Sequence, residues 1–221
     1  MFADDTVICV AGNNFGEVTH IMNEELDILY DWLCKNKLKL NTSKTKSMVM
    51  GTKSNCKKYA GLNLTLYIDG SKIDFVSEIK YLGVILDPQL NFSLHINYIC
   101  KKLGKKIGFF ARISKWLSLW TKKLVFNTII LPHFNYCSAL LISCTQEDIY
   151  RLQLQQNKAM RIILSCNRYT PIEYMLKSLN WLSVEKNIKK ANVVLIYKIE
   201  NGLVPKYLEC FFREKRKFAW I

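Results

Sequence analysis

The chain has 221 residues, half of them apolar, and carries 32 Lys+Arg against 18 Asp+Glu for a formal net charge of +14. That is enough apolar content for a packed core in one or two domains, and its eight cysteines form no CxxC pair, which argues against a zinc or disulfide framework. No signal peptide opens it, so free thiols in a reducing, intracellular compartment (nuclear or cytoplasmic) are expected.

The charge is unevenly spread. Residues 1 to 90 hold 10 Lys+Arg and 11 Asp+Glu, net −1, whereas residues 91 to 221 hold 22 and 7, net +15. A strongly basic second part points to a polyanionic partner, against the plainer reading of a solvated basic surface.

In chain order, Thr6 to Val10 is a β-branched run that predicts a strand, broken at Gly12-Asn13-Asn14. Asn14 and Glu17 have capping-box spacing, and Phe15, Val18, Met22, Leu26, Leu29 and Leu33 come next at helical period to about Asn36. Lys37–Asn41 and Ser47–Met50 suit short strands around a loop. Leu64–Ile68 and Ser71–Val76 flank Asp69-Gly70, a favoured two-residue hairpin turn. Ile79–Leu86 predicts one further strand, ended by Asp87-Pro88.

Helical patterns take over from Asn91. The first helix, Ser93–Ser114, places Lys101, Lys102, Lys105 and Lys106 on one face. Trp116 and Trp120 lie beyond it and are expected in the core, with stacking on bases as the alternative. Leu124–Cys144 carries no formal charge over a span-like length, yet its polar groups and Pro132 predict two buried helical pieces rather than a membrane span. Thr145 with Asp148 starts the next helix, Thr170-Pro171-Ile172-Glu173 has the form of a capping box with proline at the first helical position, and Ser183 starts the last long helix, stopped by Asn201-Gly202 and Pro205.

The opening stretch, FADDTVI, puts Asp4 and Asp5 side by side before an apolar run. Adjacent carboxylates there need a turn or a cation to offset them. A bare Asp pair is common in turns, so the motif alone decides little.

Taken with the ninety residues it opens, FADDTVI resembles the (F/Y)xDD hairpin of reverse transcriptases, in the non-LTR retrotransposon (LINE, jockey-like) branch. WLCKNKLKLNTSKTKSMVMG is similar to the family's next palm element, with Asn41, Lys44 and Thr45 on its N-x-x-K-T core. IKYLGVILDPQLNFSLHI resembles the primer-grip strand leading to the thumb, and ILPHFNYCSALL, LQLQQNKAMRIIL and LNWLSVEKNI resemble the helical region beyond.

The resemblance implies a mixed α+β fragment: the C-terminal half of a polymerase palm in residues 1–90 and a helical thumb with trailing helices in 91–221. It implies Asp4 and Asp5 as ligands of Mg²⁺ or Mn²⁺, and Lys44 as a catalytic lysine near the incoming triphosphate. Tyr81, Leu82 and Gly83 would contact the primer, and Lys101, Lys102, Lys105 and Lys106 would follow the backbone of RNA template and DNA primer. The family places fingers, nucleotide pocket and a third metal-binding aspartate upstream of the motif. The 221 residues hold no counterpart, so a truncated enzyme, inactive by itself and binding metal weakly or not at all, is expected. The rival reading is a non-catalytic basic helical module that binds nucleic acid.

Overall fold

The computed structural model describes residues 5–12, 14–59 and 65–210. Asp4, with Phe2 and Ala3 of the opening motif, lies outside the described residues, as do Asn13 and Leu64. The chain divides into two compact units, Met1–Leu90 and Asn91–Ile221.

In the first unit α1 (Phe15–Lys35) is followed by β1 (Lys46–Ser47), α2 (Lys53–Tyr59), β2 (Tyr67–Ile68), β3 (Ser71–Lys72), β4 (Asp74–Phe75), β5 (Ile79–Tyr81) and β6 (Val84–Leu86). Helix α1 starts where its sequence places it. The Asn14 carboxamide oxygen accepts the Glu17 N–H at 2.8 Å, and its NH₂ donates to Glu17 Oε2 at 3.3 Å. Its apolar stripe covers the β2–β3 hairpin, with Leu26 buried against Leu66, Ile68 and Ile73. Asn23 joins the helix to the strand edge, donating to Thr65 O at 3.3 Å and accepting from Tyr67 N at 3.1 Å. That occupies an edge that would otherwise be open to another chain.

The strands depart from the sequence reading in three places. Thr6–Val10 forms no ladder; Asp5 makes an isolated bridge, and Ile8 reaches the core without regular pairing. Lys37–Asn41 is irregular because Lys37 turns left-handed (φ 54) directly after the helix cap, and Ser47–Met50 contributes only Ser47 to a strand. That strand, β1, pairs in parallel with β4, helped by Lys46 Nζ at 2.6 Å from Asp74 Oδ2. Ile79–Leu86 is two strands, a hairpin pairing Tyr81 with Val84, with Leu82 (φ 45) and Gly83 (φ 85) making the turn. The Asp69-Gly70 hairpin forms as expected, both residues left-handed. Among the described residues the sheets are three separate pairs: β1 with β4, β2 with β3, and β5 with β6.

The second unit is helical throughout its described residues: α3 (Ser93–Ile113), α4 (Leu119–Val125), α5 (Leu131–Asn135), α6 (Gln146–Leu164), α7 (Ile172–Leu179) and α8 (Val184–Glu200). A 3-10 turn (Ser114–Trp116) precedes α4, a π turn (Phe126–Ile130) links α4 to α5, and a 3-10 stretch (Ser138–Ser143) precedes α6. Ile96, Ile99, Leu103, Ile107 and Phe110 bury one stripe of α3, which packs on α6. Thr145 and Ser183 cap α6 and α8 as expected, each accepting the N–H three residues on. Thr170 does not cap α7: its hydroxyl donates to Asn167 Oδ1 at 3.2 Å, and the helix starts after Pro171 without a side-chain cap. Among the described residues no helix is long and apolar enough to cross a membrane, and Leu124–Cys144 is divided at Leu131 and again after Asn135.

Candidate nucleic-acid interface

The N-x-x-K-T sequence is a turn built around Asn41. Asn41 O accepts from Lys44 N and Thr45 N, both at 3.1 Å, and the Asn41 side-chain oxygen accepts from Ser43 Oγ at 2.7 Å. This leaves Lys44 exposed at the tip. Tyr81 is half-buried at the end of β5, and Leu82 and Gly83 form the tip of its hairpin. Asp5 is exposed. Among the described residues no hydrogen bond or ion pair joins Asp5, Lys44 and Tyr81, and no three His, Cys, Asp or Glu side chains gather around a possible metal position. The described residues do not by themselves make a metal centre.

The lysines of α3 do come together. Lys101, Lys102 and Lys105 are exposed, and Lys106 is half-buried at the flank of the buried stripe. Lys102 Nζ lies over the Tyr98 ring, 4.6 Å from its centre, and Lys106 Nζ donates to Ile129 O at 3.3 Å. His133 sits near both. Burial, and then the Lys106 and Lys102 ammoniums, hold its pKa below the ordinary value, so the ring is neutral at neutral pH. Gly104 and Gly108 interrupt the same helix on its exposed side, where an added Cβ would meet nothing within 4 Å. Packing therefore does not require glycine there, and its absence of side chain leaves the helix backbone open to close approach.

Two features extend this face. Residues 88–146 contain no Asp or Glu, while holding Lys101, Lys102, Lys105, Lys106, Arg112, Lys115, Lys122 and Lys123. A count of acids along the chain, rather than of net charge by halves, would have found this. The second feature reverses an expectation. Trp116 and Trp120 are not core residues: they are 83% and 71% exposed. Trp181 is the indole that packs, stacked on Phe126 with ring centres 4.1 Å apart. The inward positions of α4 are Lys122 and, just after it, Phe126, which leaves both flanking tryptophans outside.

Comparison with known proteins gives this basic face a context. The chain is 28% identical over 211 residues, 91% of its length, to the retrovirus-related Pol polyprotein from type-1 retrotransposable element R1 2 of Nasonia vitripennis. The chain is related to the reverse transcriptases of non-LTR retrotransposons. The probable RNA-directed DNA polymerase from transposon BS of Drosophila melanogaster is 26% identical over 86% of the chain. The RNA-directed DNA polymerase from mobile element jockey of Drosophila funebris is 25% identical over 73% of it. The chain spans 50% of the length of the Nasonia protein, and 21% and 17% of the two Drosophila polymerases. No family model matches the chain, and no solved structure gives a significant match. The kinship with jockey-like polymerases, expected from FADDTVI and the palm-like stretch after it, is thus found over most of the chain.

Proposed function

We propose that the chain is part of an RNA-directed DNA polymerase, with residues 1–90 contributing the back of the palm and residues 91–221 the thumb and trailing helices. Relatedness to retrotransposon polymerases along most of the chain is the observation that carries this reading. In it, Asp4 and Asp5 are two carboxylates of a divalent-metal site holding Mg²⁺ or Mn²⁺, and Lys44 faces the incoming nucleotide. The Tyr81-Leu82-Gly83 tip meets the primer end, and the lysines of α3 follow the backbone of template and primer. An exposed turn lysine and a hairpin tip are suited to these roles because each can meet a ligand without unpacking a core. Such work belongs where RNA and DNA are, in nucleus or cytoplasm.

The test joins the chain, from Phe2 onward, to the upstream part of the Nasonia relative's polyprotein and measures primer extension on an RNA template. Fusion holds the halves at an effective concentration of roughly millimolar, so weak docking is no obstacle. Template-dependent extension is expected. Asp4→Asn should abolish it, and Lys44→Ala should slow it by about 10²- to 10⁴-fold, as the loss of one acid–base group does. A folded fusion that extends primers equally well with Asp4→Asn would refute the proposed site. One that is inert but still binds nucleic acid would favour the rival reading, a basic helical binding module, which the acid-free run of residues 88–146 supports on its own.

A further inference from the structure

We propose that the corner between α3 and α4 is a stacking platform for unpaired nucleotides, its Trp116 and Trp120 indoles meeting bases while Arg112, Lys115 and Lys123 meet phosphates. The inference rests on the reading that residues 91–221 bind nucleic acid, and specifies which form of it this corner takes.

Tryptophan is highly buried on average, because an exposed indole leaves a large apolar face in water. Two of them, at 83% and 71% exposure and four residues apart in sequence, with Leu119 at 52% between them, flank one corner of the chain and are covered by nothing in the described residues. The corner beneath is fixed. Leu117 is extended, and Ser118 caps α4 by accepting Thr121 N at 3.2 Å. The Lys122 ammonium is turned inward and donates to Ser165 Oγ at 2.9 Å, and Phe126 is locked under Trp181. The indoles are therefore presented on a preorganised base, which lowers the ordering cost of binding.

Charge selects the occupant. Arg112 and Lys115 are exposed, Lys123 is half-buried, and the corner lies inside the run of residues 88–146 that has no carboxylate. Flat aromatic faces interleaved with cations match a ligand made of π-faces and phosphates. A duplex hides its base faces in its own stack and offers only backbone to such a surface. An unpaired strand offers both.

The experiment uses the full chain and anisotropy of labelled oligo-dT, an abasic strand of equal length and a blunt duplex, over a salt series. Oligo-dT should bind more tightly than the abasic strand. Trp116→Ala and Trp120→Ala should each weaken oligo-dT binding by roughly 5- to 150-fold, the cost of one base stack, and leave the abasic strand unaffected. Replacing Lys101, Lys102, Lys105 and Lys106 with Gln should flatten the salt dependence for both strands and preserve their ratio. Both tryptophans are exposed, so the alanine variants should keep the wild-type circular dichroism, and the abasic comparison needs no variant. Equal affinity for oligo-dT and the abasic strand would overturn the platform while salt-dependent binding of all three probes left the broader reading standing. Failure to bind any nucleic acid would overturn both. Binding of phosphatidylserine vesicles that the tryptophan variants lose, with oligo-dT binding unchanged, would assign the corner to a membrane surface instead.

Discussion

His95 occupies a position that helical period reserves for an apolar side chain, one residue before Ile96 on the buried side of α3, and it is 2% exposed. Burial holds its pKa below the ordinary value. The unfolded chain therefore takes up this proton first, and stability rises with pH across the interval between the two values. The contribution is complete above the unfolded value, about 6.5, and is lost as pH falls through that value toward the folded one. One such group changes stability by at most about 1.4 kcal/mol per pH unit. His133, lowered by burial and by Lys106 and Lys102, adds a contribution of the same sign. Asp74 and Glu185, lowered by Lys46 and Lys189, act in a separate and more acidic window. Urea titrations should show the midpoint falling as pH is lowered from about 7 toward about 5.5, a range in which only histidine has an unperturbed pKa among side chains, and His95→Gln should reduce that dependence, leaving the part due to His133. A midpoint that stays constant in the wild-type chain would contradict this. Residue chemistry also sets what sequence could reveal at the β5–β6 hairpin. Asp69-Gly70 announces its turn because Asp and Gly both visit left-handed backbone at low cost. Leu82-Gly83 makes a turn of the same kind with a leucine at φ 45, so IKYLGVIL reads as a single strand until the backbone is seen.

At the scale of elements, α3 and α6 are joined by a polar clamp as well as by apolar packing. Asp148, 4% exposed, accepts from Ser93 Oγ at 2.6 Å and Thr145 Oγ1 at 2.9 Å, and pairs with Arg151 Nη1 at 3.2 Å. Arg151 continues the clamp to Asn97 Oδ1. A second set ties α6 to α8: Gln153 accepts from Val184 N at 2.9 Å and donates to Gln156 and Asn157, while Gln156 donates to Leu182 O at 2.9 Å. This gives the LQLQQN run a structural role, satisfying backbone groups at the start of α8. Asp148→Ala would remove the acceptor of two hydroxyls and the partner of Arg151, with hydrogen bonds to a charged group worth about 1.5–3 kcal/mol. Because Arg151 keeps access to water, a loss of about 2–3 kcal/mol is expected rather than the larger cost of an orphaned buried charge. Thermal unfolding of the variant checks it; a change near zero would mean that the clamp is incidental. Elements of this size differ in legibility for a physical reason. Helix starts were readable at Asn14, Thr145 and Ser183 because the cap is a local bond between residues three apart. Two- and three-residue strands were not, because a partner distant in sequence decides them: nothing local in Lys46-Ser47 announces pairing with Asp74-Phe75. The exposure of Trp116 and Trp120 was hidden for a related reason. Whether an indole packs depends on which neighbour fills the space first, and here Trp181 takes the place against Phe126.

Across the whole molecule, the core is divided as unequally as the charge. Among the described residues, five buried hydrophobic side chains fall in Met1–Leu90 (Leu26, Leu66, Ile68, Ile73 and Val84), and twenty fall in Asn91–Ile221. The described strands of the first unit stand in pairs, and isolated two-stranded pairs are at best marginal in water without a packed face. A buried cluster of Leu26, Leu66, Ile68 and Ile73 lies between α1 and the β2–β3 hairpin, with Leu40 and Val49 packed against it, while β5–β6 contributes one fully buried side chain, Val84, among the described residues. The second unit has long capped helices packed around most of the buried side chains. The two units should therefore open at different free energies. Hydrogen exchange followed by mass spectrometry should find weak protection in residues 5–12 and 36–59, intermediate protection in α1 and the β2–β3 hairpin, and the strongest in α3 and α6. The order reflects the distribution of buried side chains, and it has a functional corollary within the proposed reading. A palm fragment with so small a core would draw its remaining stability from upstream polymerase segments, so fusing those segments should raise protection around the Asn41 turn and the Leu82-Gly83 tip while leaving α3 and α6 as they were. Equal protection along the unfused chain would show that residues 1–90 are held by contacts other than these. Protection unchanged by fusion would show that the first unit does not dock where a palm fragment must.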